Sequence, residues 1–252
     1  MKTRIALVLF FALTAGTLST RAQFWEKKDW RQWSKDDAKK MLEDSPWAKT
    51  WSHGEVRRGE VGGSSEGTGR ETEPRVYYAV QLRSALPVRQ AVVRLAQINR
   101  KYDKMSEADK KAMDEGAERY FARAYGDVIV VNVSFWSNVQ FYEKQMNEFW
   151  QSFPEGSAPV GLNLLVGKER IAPVRFTAPR GGAYEFEAVF PRVVNGEEIV
   201  TPNTKVMQIE FMHPGVGEQE TNQRGTTTGA GTSRVYVEFK PEKMTYKGQL
   251  IY

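Results

Sequence analysis

Residues able to do chemistry are scarce in this chain: it has no cysteine and two histidines, His53 and His213. The missing thiols remove disulfides, thiolate nucleophiles, iron–sulfur clusters and cysteine-based zinc sites together. Two histidines cannot supply a three-histidine metal centre. The string Gly63-Ser64-Ser65-Glu66-Gly67 fits the G-x-S-x-G nucleophile elbow, and Ser65, Asp127 and His213 follow in the chain order of an α/β-hydrolase triad. An elbow, however, needs a strand before the serine and a helix after it, and Ser65 lies in a polar, glycine-rich stretch with neither. His213 stands before Pro214 at a strand end and His53 opens that glycine-rich stretch, positions that suit surface or hydrogen-bonded histidines better than a general base.

Glu185 and Glu187 are two apart in an alternating segment, so a strand would point both carboxylates to one side, as a metal or a glycosidic bond requires. A strand with one solvated face produces the same pattern. Gly161 to Lys168 fails as a phosphate loop, because its glycines are wrongly spaced and Glu169 stands where Ser or Thr must hold magnesium. Asn132-Val133-Ser134 has the form of a glycosylation triplet but falls in the most apolar run of the chain. Arg89, Arg94, Arg100 and Lys101 follow the polar side of a helix and read as a solvated face. The residues therefore support no catalytic assignment, no metal ligand and no cofactor.

Above this background stands an aromatic cluster. Trp25, Trp30, Trp33, Trp47 and Trp51 are five of the seven tryptophans. Tryptophan joins a large apolar area to one donor and dominates interface hot spots, so these five are candidate contacts to a partner, either another envelope protein or a carbohydrate polymer. The reading favoured over this is a flap that packs back onto the main domain, since so short a segment cannot bury that much aromatic area alone.

The elements that would position these groups follow from periodicity. Ser34 with Asp37 three residues on caps a short helix carrying Ala38, Met41 and Leu42, and Ser45-Pro46 has the form of a second helix start. Residues 52–74 read as a flexible linker. Arg75 to Ser84 alternates as a strand; Pro87 opens a helix through Tyr102; Ser106 with Asp109 caps another that ends near Gly126; Asp127 to Trp136 is a β-branched central strand; and a third helix starts at Asn138. Beyond Pro154 only strands are expected: Val160 to Val166, Arg170 to Thr177, Tyr184 to Phe190, Lys205 to Met212 and Arg234 to Lys240, with a hairpin turn at Asn195-Gly196 and a mobile loop over 214–233. The fold class is α+β, a mixed sheet with two to three helices followed by antiparallel strands, preceded by a short helical Trp-rich segment. The divisions are 1–22, 23–51, 52–74 and 75–252.

Residues 1–22 read as a secretory signal peptide: Lys2 and Arg4, then an uncharged apolar stretch from Ile5 to Leu18, then Thr20 and Ala22 at the cleavage positions. That stretch is short of the about 20 residues a membrane span needs. Removing Lys2, Arg4 and Arg21 lowers the formal charge from +5 to near +2, which argues against nucleic acid as a partner. A large exported chain without disulfides suits a bacterial periplasmic or secreted protein.

Two stretches carry a resemblance. Trp30-Arg31-Gln32-Trp33-Ser34 leading to Asp44-Ser45-Pro46-Trp47-Ala48, and Ser84-Ala85-Leu86-Pro87-Val88-Arg89, resemble a group of exported bacterial proteins with a Trp-rich SPWA segment, a glycine-rich spacer and an SA-PVR helix start. The resemblance spans the first third of the mature chain and implies export, without an activity or site residues to transfer. The expectation is an exported, non-enzymatic binding or assembly module of the cell envelope. A hydrolase using Glu185 and Glu187 on an envelope or extracellular substrate is the alternative.

Overall fold

The computed structural model describes residues 23–54, 75–216, 220–221, 227–228 and 233–252. The signal segment, most of the linker with Ser65, and most of the 214–233 loop lie outside the described residues. The chain begins with helix α1 (Phe24–Lys27), a 3-10 turn (Trp30–Gln32) and α2 (Lys35–Glu43), whose Ser34–Asp37 capping box forms as expected. Strands β1 (Asp44–Ser45), β2 (Ala48–Gly54) and β3 (Arg75–Leu82) follow, then α3 (Leu86–Asn99), α4 (Glu107–Phe121), β4 (Val128–Ser137) and α5 (Gln140–Gln151). The remainder is strands: β5 (Asn163–Val166), β6 (Glu169–Ile171), β7 (Arg175–Thr177), β8 (Glu185–Pro191), β9 (Val193–Val194), β10 (Glu197–Glu198), β11 (Met207–His213), β12 (Glu220–Thr221), β13 (Thr227–Thr228), β14 (Ser233–Phe239), β15 (Thr245–Tyr246) and β16 (Gln249–Leu250).

Two sheets organise the molecule, one of six strands in the order β1-β2-β3-β4-β8-β7 and one of four in the order β14-β11-β5-β6. Every pair in both is antiparallel. The helix pair between β3 and β4 brings the chain back to the end it left, so Leu82 faces Val131 across an antiparallel ladder instead of the parallel crossover a mixed sheet would contain. The α+β class stands, with α1 to α5 interleaved with β1 to β4 up to Gln151 and no further α-helix among the described residues beyond it.

Alternation sets the two faces of the large sheet. Tyr78, Val80, Val133, Phe135 and Phe186 share the inner face and are all buried. That face meets the small sheet, where the Tyr78 and Phe211 rings lie 4.9 Å apart, and it meets α5, where Trp150 sits 4.1 Å from Phe186. Each fully buried aromatic of this kind contributes roughly 2–3 kcal/mol of transfer free energy.

Three local expectations are corrected. Ser45-Pro46 starts no helix; the chain reverses there between β1 and β2 because Trp47 is drawn wholly into the core. Ser45 Oγ donates to Met41 O and accepts from Trp47 N, which holds the reversal, so tertiary packing overrides the local signal. The linker does not begin at residue 52, since Ser52, His53 and Gly54 continue β2 opposite β3. Arg170 to Thr177 is not one strand: it breaks before Pro173, leaving β6 in the small sheet and β7 in the large one.

Candidate functional site

Burial sorts the tryptophans. Trp25, Trp30, Trp33 and Trp47 are in the core and Trp51 is half-buried on β2. Trp47 Nε1 donates to Ile251 O at 2.5 Å, tying the N-terminal segment to the end of the chain, and Arg94 Nε donates to Trp33 O. Core packing accounts for four of the five. Nor are the helix arginines a uniformly solvated face: Arg89 is buried and donates from Nη1 to the carbonyls of Tyr120 and Phe121, satisfying the C-terminus of α4.

The most exposed tryptophan is Trp136, 37% accessible near the end of β4. It belongs to the outer face of the large sheet, where register aligns three rows across the strands. The first is Ser52, Tyr77 and Trp136; the second is Thr50, Ala79, Ser134 and Glu185; the third is Ala48, Gln81, Asn132, Glu187 and Thr177. Small side chains in the middle row make a trough. One wall is the Tyr77–Trp136 pair, with rings 5.3 Å apart and parallel within 8°. The other is polar and buried beneath the end of α2: Gln81 Nε2 donates to Leu42 O, Arg83 Nη2 to Asn132 Oδ1, and the buried atoms Gln81 Oε1 and Arg83 Nε have no hydrogen-bond partner among the described residues. From β2 to β8 the trough crosses three strand spacings, about 14 Å.

At its far end the trough reaches a cleft of about 250 Å³ lined by Asn132, Thr177, Ala178, Arg180, Ala183, Glu185, Phe186 and Glu187. The two glutamates are half-buried here, as their spacing predicts, on one face. Among the described residues neither meets a further acid: Ser134 Oγ donates to Glu185 at 3.4 Å and Arg175 stands 3.6 Å from Glu187. The cleft's lining holds hydrogen-bond donors and acceptors, and the stacking surface is supplied by the Tyr77–Trp136 pair at the other side of the sheet face. A larger cleft, about 390 Å³ beside Trp25, Lys49, Glu238, Lys240 and Lys243, mixes charges of both signs around a buried tryptophan.

Two other polar centres were hidden in the sequence. Glu210 on β11 has a fully buried side chain and accepts from Asn163 Nδ2 (2.8 Å), Arg170 Nη1 (2.5 Å), Arg234 Nη1 (2.6 Å) and Tyr236 Oη (3.1 Å). Burial alone would raise its pKa, but the four donors outweigh it and the carboxyl titrates below its usual range. His213 takes Tyr78 Oη as its Nδ1 partner at 2.9 Å in place of the carboxylate a triad requires. Burial first, and His53 second, press its pKa down to about 4. Asp127 serves through its backbone, accepting from Arg192 N.

Tyr77, Ser134 and Trp136 had a signal in the sequence. Tyr77 stands on the polar phase of the first strand, and Asn132, Ser134 and Trp136 form the even phase of a run whose apolar odd phase dominates it. Among the described residues no helix is long and apolar enough to cross a membrane. No protein-family model, curated protein or solved structure matches the chain, so the site is read from its geometry.

Proposed function

We propose that this is an exported, non-enzymatic binding module of the bacterial envelope, and that a carbohydrate chain lies in the outer trough of the large sheet. The observation that carries the reading is the stacked Tyr77–Trp136 pair, in which Trp136 is exposed and Tyr77 half-buried, beside the Ser134 hydroxyl and the half-buried carboxylates of Glu185 and Glu187. An aromatic face packs the C–H surface of a sugar ring, and polar groups held by their neighbours reach its hydroxyls without ordering costs at the moment of binding. The signal segment and the resemblance to exported bacterial proteins support the location. Hydrolysis by Glu185 and Glu187 is the weaker reading, because both point from one strand and each is already engaged by Ser134 or Arg175.

Co-sedimentation with purified peptidoglycan sacculi and affinity electrophoresis in gels containing β-glucan test the proposal. The wild type should be retained by one of these polymers, and Trp136→Ala should weaken retention at least tenfold. Retention by neither polymer, or equal retention of the variant, overturns it. Release of reducing ends by the wild type, lost in Glu185→Gln, would favour the hydrolase.

A further inference from the structure

The chain's two histidines are 160 positions apart in sequence and belong to different sheets, His53 to β2 and His213 to β11. Their ring centroids nevertheless lie 5.7 Å apart with the planes inclined at 57°. We propose that His53 and His213 form a binding site for a divalent transition-metal ion of the zinc and copper class.

The spacing suits a shared ion. At a metal–nitrogen distance of about 2.1 Å, an ion in line with a ring nitrogen lies about 3.2 Å from that ring's centroid. Two such vectors span the observed separation when the angle at the metal is about 125°, slightly wider than trigonal and within reach of a distorted tetrahedral site. The second groups are also present. Tyr78 Oη engages His213 Nδ1 at 2.9 Å, which assigns ligation to Nε2 and fixes the ring orientation, as the outer partner of a metal-bound histidine does. Burial keeps the Tyr78 phenol neutral, so it serves as a hydrogen-bond partner and not as a phenolate ligand. His53 is held by Trp51, whose ring lies parallel to it within 2° at 5.7 Å. Because His53 is exposed, ion and water have access and water completes the coordination. Neutral imidazoles select zinc, copper and nickel over calcium and magnesium, which take oxygen ligands.

Chelator-stripped protein without an affinity tag, titrated calorimetrically with Zn²⁺, Ni²⁺ and Cu²⁺, provides the test. The wild type should bind one ion per chain, with Cu²⁺ quenching part of the tryptophan fluorescence. His53→Ala, an exposed substitution that leaves the core intact, should raise the dissociation constant at least tenfold. Trp51→Phe should retain binding while losing most of the quench. Binding by His53→Ala equal to wild type, or no uptake of any of the three ions, overturns the proposal.

Discussion

Trp47 and Trp136 occupy opposite ends of the range of tryptophan environments in this protein. The first belongs to a dense N-terminal cluster and has no exposed surface; the second stands apart in sequence and is 37% exposed. Clustering in sequence draws attention to residues 25 to 51, yet there it reflects core construction: Trp25 packs edge-on to Trp47, Phe24 to Trp33, and Trp30 to Phe121. Trp136 lies amid polar neighbours because its strand alternates, and a binding surface needs that combination. Aromatic density marks where area must be buried, whereas an aromatic on the polar phase of a strand marks where area is left for a ligand.

The sharpest way to break this contrast is Trp47→Ala. The substitution empties a large core volume and removes the donor to Ile251 O, so it should cost about 3–5 kcal/mol. The thermal midpoint followed by circular dichroism should fall on the order of 10 °C. A loss below about 1 kcal/mol would mean the segment is an attachment and not part of the core, and the contrast would fail.

Much of the architecture was legible before any coordinates. The capping pairs Ser34–Asp37 and Ser106–Asp109, the Pro87 helix start, the β4 run and the Asn195-Gly196 turn, with φ of 54° and 84°, all formed where local chemistry placed them. Expectations failed where long-range packing outvoted a local signal, as at Ser45-Pro46, or where one proline divided a strand between two sheets. The site was less legible, for a reason of distance. Tyr77 meets Trp136, His53 meets His213, and Arg170 and Arg234 meet Glu210 only through sheet register, and no periodicity within one segment encodes register between segments.

Carboxylates repeat the contrast. Glu210 is saturated by four donors, while Glu185 and Glu187 have one long contact each and face the trough. Glu210→Gln should therefore cost about 1–2 kcal/mol, a figure kept low because Arg170 and Arg234 are half-exposed and partly solvated. The pH dependence has a definite sign. Since the folded carboxyl titrates below its unfolded value, its contribution is complete above the ordinary carboxylate range and is lost as the pH falls through the lowered folded pKa. Urea midpoints measured from neutral pH downward should show that acid loss in the wild type, reduced in the Gln variant. Parallel curves would place the stabilisation elsewhere. Glu185→Gln, by contrast, should leave the midpoint within about 0.5 kcal/mol and act on ligand retention.

Trp136→Ala should have a small effect on stability and a large one on binding. Its ring stacks on Tyr77 across one strand pair and is partly solvated, so truncation removes a cross-strand contact worth about 0.5–1 kcal/mol and opens no internal cavity. A midpoint shift of that size together with lost polymer retention would separate the binding role of the pair from any role in folding. Tyr77→Ala serves as the companion, because it removes the other half of the same wall. If both variants fold and lose retention, the wall is the ligand surface; if Trp136→Ala instead destabilises the protein by as much as Trp47→Ala, the exposed ring is a structural element and the distinction between the two tryptophan environments collapses.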